Sequence, residues 1–186
     1  MSPHTSTVPD LIGSGVRILF VGVNPSLSAV ATQAPFGRRG NRFYPAMYRA
    51  GILDRNIDAS RGMRQVDREY LLWRGIGITS LVRRATGQAN ELRPEELIQG
   101  RQALARLVCT VDPSVVAVLG ITAFRIAFED RSAELGRQPH DVCQTPLWVL
   151  PNPSGRNLRA TLDDIAEAFR EVAVAAGMDV LPAFPR

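Results

Sequence analysis

The chain has 186 residues, 45% of them hydrophobic, with 22 basic against 18 acidic side chains and a net charge of +4. That size suits one domain around one continuous core, and the modest positive excess permits, without requiring, a polyanionic partner. No run approaches the roughly 20 apolar residues of a membrane span, and the start of the chain lacks a signal-peptide pattern, so a cytoplasmic protein without membrane association is expected.

Cys109 and Cys143 are too few for a disulfide framework and lack metal-ligand spacing, so both are expected to be reduced and structural. All 22 basic residues are arginine. This fits bidentate phosphate contacts and equally a coding bias. Either way, no lysine is available for a Schiff base, leaving only the terminal amine for such chemistry.

The first predicted strand, over 17–23, contains the apolar run Ile18 to Val23 and ends at Asn24-Pro25-Ser26. The proline ends the ladder and biases the asparagine toward extended geometry. Short helices are predicted over 44–50 and 63–73, followed by a second strand over 76–82. A longer helix opens at Pro94, with Glu95 and Glu96 in its first turn and Leu97, Leu104 and Val108 on one face, and stops near Asp112-Pro113. A third strand is predicted over 114–119, a helix over 122–128 and a fourth strand over 146–150, behind which stands a second tripeptide, Asn152-Pro153-Ser154. Thr161, with Asp164 three residues on, caps a last helix carrying Ile165, Ala168, Phe169 and Val172 at helical spacing before Gly177. Residues 1–15 and 178–186 read as loose tails around a single domain over 16–177.

Strands alternating with helices predict a parallel sheet covered on both faces. Ligands bind such sheets outside the carboxyl ends of the strands, so the two tripeptides could face one another across a pocket or be ordinary strand-exit turns. Neither GxGxxG nor GxxxxGK[ST] is present, which argues against a dinucleotide or nucleoside-triphosphate enzyme. In the segment 26–43, Phe36 could stack on a base or plug its loop onto the core, and Arg38, Arg39 and Arg42 could bind phosphates or simply be solvated. His4 and His140 have no partner that suggests catalysis, and no carboxylate pair is assigned acid-base work.

Several separate stretches, in order along the chain, resemble the mismatch-specific uracil/thymine DNA glycosylases of the uracil-DNA glycosylase superfamily. They are Gly22-Val23-Asn24-Pro25, Pro35-Phe36, Asn41-Arg42-Phe43-Tyr44, Gly77-Ile78-Thr79, Gln88-Ala89-Asn90-Glu91-Leu92 and Trp148 through Gly155. The resemblance implies a three-layer α/β/α sandwich around a short, mainly four-stranded parallel sheet, with no metal and no organic cofactor. It implies a monomer that acts on double-stranded DNA carrying a mispaired or damaged base. Asn24 matches the asparagine that positions the hydrolytic water, and Phe36 the aromatic that stacks on the flipped base. Val23 and Phe36 match positions that lend backbone groups to the base edge, and Asn41 falls in the same base-binding set. Asn152, Pro153, Ser154, Gly155 and Arg156 match the loop that enters the duplex.

The chain departs from the bacterial pattern at Ser26, where glycine is usual, at Ser80, where lysine is frequent, and at Arg156, where leucine is usual and the animal thymine glycosylases carry arginine. The resulting expectation is a monofunctional glycosylase that removes uracil, or thymine or an exocyclic cytosine adduct, opposite guanine and leaves an abasic site. The alternatives are a related glycosylase for deaminated purines and a DNA module that recognises mismatches without cutting.

Overall fold

The structure is a computed structural model that describes residues 7–182. The outermost parts of the two expected tails, 1–6 and 183–186, lie outside the described residues. In chain order the elements are β1 (Ile18–Gly22), α1 (Leu27–Thr32), α2 (Phe43–Arg49), α3 (Gln65–Trp73), β2 (Ile76–Ser80), a 3-10 turn (Ala89–Glu91), α4 (Pro94–Val111), β3 (Val115–Leu119), α5 (Ile121–Ala127), β4 (Gly136–Arg137), β5 (Leu147–Leu150) and α6 (Leu162–Ala175). The sheet order is β2-β1-β3-β5-β4, with the first four strands parallel and the two-residue β4 antiparallel at the edge. The four-stranded parallel core is as expected, and β4 adds a short fifth strand.

Side chains alternate across each strand, and both sets are buried because helices cover both faces. Ile18 and Phe20 of β1 join Phe43, Met47, Leu71 and Phe169 in one core layer. Leu19 and Val21 join Leu104, Val108 and Phe124 in the other. Phe20 sits 5.2 Å from Phe43 and 5.1 Å from Phe169 between ring centroids, so one aromatic cluster ties β1 to α2 and α6. On the opposite face, α4 approaches through Gly100, where a Cβ would lie only 2.3 Å from the Leu81 carbonyl oxygen. A side chain there would push the helix off the end of β2.

The helix ends follow local chemistry. The Thr161 hydroxyl accepts from Asp164 N while the Asp164 carboxylate accepts from Thr161 N, completing the capping box at α6. Helix α4 starts with Pro94 at N1 and ends on Asp112, which adopts φ +51° just before Pro113. Helix α1 was not expected. Ser26, the departure from the usual glycine, is its N-cap, accepting from Ala29 N at 3.2 Å.

Two expectations are corrected. The described parts of the tails are packed: Leu11 is buried and exchanges backbone hydrogen bonds with Ile78 at 2.9 and 2.7 Å, covering the free edge of β2. At the other end, Leu181 N donates to Gly51 O and Arg74 to Asp179 O. The second correction concerns the cysteines. Cys109, in the last turn of α4, is disulfide-bonded to Cys143, with Cα atoms 5.5 Å apart. Cys143 and Gln144 occupy the centre of a two-residue hairpin turn at φ +49° and +65°, closed by reciprocal bonds between Val142 and Thr145.

Asp67 is the buried carboxylate of the α3 layer. It accepts from Arg64 Nε at 2.7 Å and from Arg55, and the Arg64 hydrogen bond, outweighing burial, holds its carboxyl below the usual range. Because the folded form binds its proton more weakly than the unfolded chain, the pairing adds stability above the ordinary carboxylate range and loses it as pH falls through the folded value. Asp67→Asn is expected to cost about 2 kcal/mol at neutral pH, with the gap to the parent in urea midpoint shrinking toward pH 3 (a pH-independent gap contradicts the pairing). Reduction of the Cys109–Cys143 bridge is expected to lower stability by about 3–4 kcal/mol on chain-entropy grounds, and a Cys109→Ser, Cys143→Ser double variant should show no response to reductant.

Candidate active site

Four parallel strands in register end together: Gly22 opposite Ser80, Val118 beside Val21 and Val149, and Leu119 opposite Leu150. Their exit loops therefore gather along one rim. There they line a cleft of about 1240 Å³ that includes Val23, Asn24, Phe36, Asn41, Thr86 and Asn152. Gly120 stands between the two tripeptides at φ +119°, where a Cβ would meet Asn152 Nδ2 at 3.4 Å and Val23 Cγ2 at 3.7 Å. Those are ordinary contact distances, so it is the positive φ that calls for glycine here, at a point where both loops line one cleft.

Asn24 is held by its amide nitrogen. Nδ2 donates to Arg84 O at 2.9 Å, to Thr86 Oγ1 at 2.8 Å and, longer, to Pro25 O at 3.2 Å. Carbonyl oxygens only accept, and the Thr86 hydroxyl spends its proton on Gln88 O at 2.7 Å, so these partners determine which end of the amide is nitrogen. Oδ1 is left as a hydrogen-bond acceptor on a side chain that lines the cleft. Beneath this arrangement the Arg84 guanidinium is clamped bidentately by Glu96, at 2.9 Å for each bond. That Arg84 contact, with the Arg93 backbone N–H second, draws the Glu96 carboxyl down to about 2. Thr86 and Arg84 were not singled out from the sequence, and Glu96 only as an acidic residue in the first turn of α4. The nearest signal was the Gln88-Ala89-Asn90-Glu91-Leu92 stretch just beyond them.

Phe36 plugs its loop onto the core, as one of the two readings had it, and also lines the cleft. One ring face stacks on Phe43 at 4.0 Å and 23°, anchoring the loop to the core, while the half-buried ring still lines the cleft. Its backbone is left-handed at φ +56°, an arrangement that costs a non-glycine residue and persists where the surroundings enforce it. The Tyr44 hydroxyl donates to Pro35 O at 2.8 Å, and burial pushes that phenol's pKa far up. Gly22 completes the fit, since a Cβ there would lie 3.2 Å from Phe36 Cζ. Asn41 Oδ1 accepts from Phe43 N at 2.9 Å, which leaves the Asn41 NH2 group as its means of addressing the cleft. The Val23 carbonyl already accepts from Val82 N at 3.0 Å.

The second tripeptide builds a braced loop. Asn152 Oδ1 accepts from Ser154 N at 2.9 Å, and Pro153 O from Arg42 N at 2.9 Å. The Arg42 guanidinium donates to the carbonyls of Ser154 (2.8 Å), Asn157 (2.8 Å) and Ala160 (2.5 Å). Arg42 is thus committed to the loop, which is neither of the two roles, phosphate binding or simple solvation, that the sequence left open for it. Gly155 lies against Gly40, where a Cβ would come within 2.7 Å of the Gly40 carbonyl oxygen. Arg156 reaches across to Gly87 O at 3.2 Å. Arg38, Arg156 and Arg159 are exposed on the cleft and form no ion pair among the described residues.

Comparison with known proteins bears on this arrangement. A solution NMR structure from Methanosarcina acetivorans, a protein with a provisional assignment as a uracil DNA glycosylase, has the same fold at a TM-score of 0.61 and 19% identity, covering 89% of this chain and 96% of that one. The sequence itself matches the uracil DNA glycosylase superfamily over residues 9–173, a span that contains both asparagine-proline loops, Phe36 and the sheet that gathers them. By that match, the chain belongs to the uracil DNA glycosylase superfamily.

Proposed function

We propose that this protein is a monofunctional DNA glycosylase that extrudes uracil from a mispair with guanine and hydrolyses its N-glycosidic bond. The observation that carries the reading is the Asn24 amide, whose nitrogen is fully engaged by Arg84 O and Thr86 Oγ1 while its oxygen remains available in the cleft that Phe36 lines. Superfamily membership supports base excision from DNA as the reaction class.

A base inside a duplex is out of reach, so the nucleotide must first leave the stack. Phe36, backed by Phe43, offers a fixed ring against which the extruded base can lie, and the Asn41 NH2 group can donate to a carbonyl on its edge. The Asn24 Oδ1 atom then accepts a hydrogen bond from a water held beneath C1′ and points a lone pair of that water at the bond to be broken. As the bond from C1′ to the base breaks, the water oxygen bonds C1′, and one water proton then passes to the departed base anion or to solvent, because a neutral carboxamide is no base. Departure of the base therefore drives the reaction, which favours uracil, a good leaving group, and accommodates thymine or an exocyclic cytosine adduct as slower substrates. With no lysine in the chain, the abasic product is left uncut. The same reading makes the protein a cytoplasmic monomer whose partner is double-stranded DNA.

Single-turnover excision from duplexes carrying uracil, thymine or hypoxanthine, developed with alkali, tests the reaction. Abasic product with uracil opposite guanine supports it, product with hypoxanthine alone would indicate a deaminated-purine enzyme, and binding without product a recognition module. Asn24→Ala is expected to lower the single-turnover rate about a hundredfold with little change in DNA affinity. Thr86→Val should lower the rate by about tenfold through a freed Asn24 amide, with Thr86→Ser restoring it; equal rates in all three variants and the parent would remove Asn24 and Thr86 from the mechanism. Arg38→Ala and Arg159→Ala should each reduce the salt dependence of binding by about one unit of log–log slope if they neutralise phosphates, and an unchanged slope would mean they do not.

A further inference from the structure

Leu158 is the most exposed large hydrophobic residue among the described residues, at 93%. Its exposure is built. Asn157 N donates to Ser154 O at 2.9 Å, and Asn157 Oδ1 accepts from Arg159 N at 3.1 Å, so two tight turns follow one another and Leu158 is the centre of the second. The Asn157 side-chain NH2 donates to Asn152 O at 2.9 Å, and Arg42 holds the carbonyls of Ser154, Asn157 and Ala160. The loop is tied on both sides of the leucine. An isolated apolar side chain in water has nothing to gain there, and ordering its backbone costs conformational entropy.

The neighbours indicate what covers it. Arg156, Asn157, Arg159 and Ala160 line the cleft, so Leu158, between them in the chain, stands exposed at the pocket's own rim. Arg156 and Arg159 flank it with no acidic partner among the described residues, matching an apolar object bordered by anions. A duplex opened at one base pair presents that combination, with stacked bases between two phosphate backbones. Arg156, in contrast, spends a guanidinium N–H on Gly87 O.

We propose that Leu158, rather than Arg156, is the side chain that enters the duplex and fills the space vacated by the extruded nucleotide, with Arg156 and Arg159 on the flanking phosphates. The proposal rests on the glycosylase reading and departs from the position that family resemblance assigns to the wedge. Leu158 acts on the stack and touches no reacting atom, so its contribution is confined to duplex substrates.

The test compares single-turnover excision of uracil from a duplex and from the same strand unpaired. Leu158→Ala is expected to lower the duplex-to-single-strand rate ratio about tenfold, with Leu158→Phe restoring most of it. At 93% exposure the truncation removes almost no packing, so folding is not in question. A parental ratio in Leu158→Ala, or a greater loss of ratio in Arg156→Ala than in Leu158→Ala, overturns the proposal. A fluorescent adenine analogue beside a G:U pair reads insertion without chemistry: binding of the parent should brighten it, and Leu158→Ala should not. If the parent excises no base from either substrate, the glycosylase reading fails on its own, while equal brightening by parent and Leu158→Ala separately refutes insertion by Leu158.

Discussion

Where strands leave the sheet at a proline, the backbone carbonyls beyond lose their ladder and must find donors, because an unpaired polar group away from water is costly. This protein meets that demand with two side chains. Asn24 supplies the N–H bonds for the carbonyls of Pro25 and Arg84, and Arg42 supplies those for Ser154, Asn157 and Ala160. Each solution also fixes a group at the cleft. Satisfying the 84–88 segment turns the Asn24 oxygen toward the cleft, and satisfying the 154–160 loop holds its tip outward.

The two braces draw on opposite layers of the sandwich. Asn24 is fixed through Thr86 and through Arg84, which Glu96 anchors to the start of α4. Phe36 and the second loop are fixed from the other layer, through Phe43, Tyr44 and Arg42 at the start of α2. The cleft is therefore the place where two independently rigid supports meet across the sheet rim, with Gly22 leaving room for the Phe36 ring. Rigid support of this kind suits a reaction in which the protein's contribution is placement, since a neutral carboxamide moves no proton.

Much of the fold was legible. The four parallel strands announced themselves as short apolar runs bounded by turns, and α4 and α6 by proline, acidic first turns and a capping box, because these signals act within a few residues. Helix α1 was missed because its stripe is short and its cap, Ser26, also completes a tripeptide that reads as a turn. Leu11 looked like tail because pairing with Ile78 depends on a strand 67 positions away in sequence, and Cys109 and Cys143 looked unpaired because the chain between them, a sequence separation of 34, folds back only in three dimensions. Arg42 could not be recognised as a loop brace for the same reason: its acceptors are carbonyls more than a hundred residues downstream.

The amino-acid sequence by itself determined the layers, the strand exits and the identity of the groups available there, since periodicity and proline geometry are local and two carboxamides and one aromatic ring are present in any conformation. Only the tertiary structure decided how those groups are used. The Asn24 amide has two chemically different ends, and which end is free depends on acceptors about 60 residues away. The role of an arginine or a leucine at a loop tip likewise depends on which long-range partners claim it first: Arg42 and Arg156 are claimed by carbonyls, and Leu158 is left exposed.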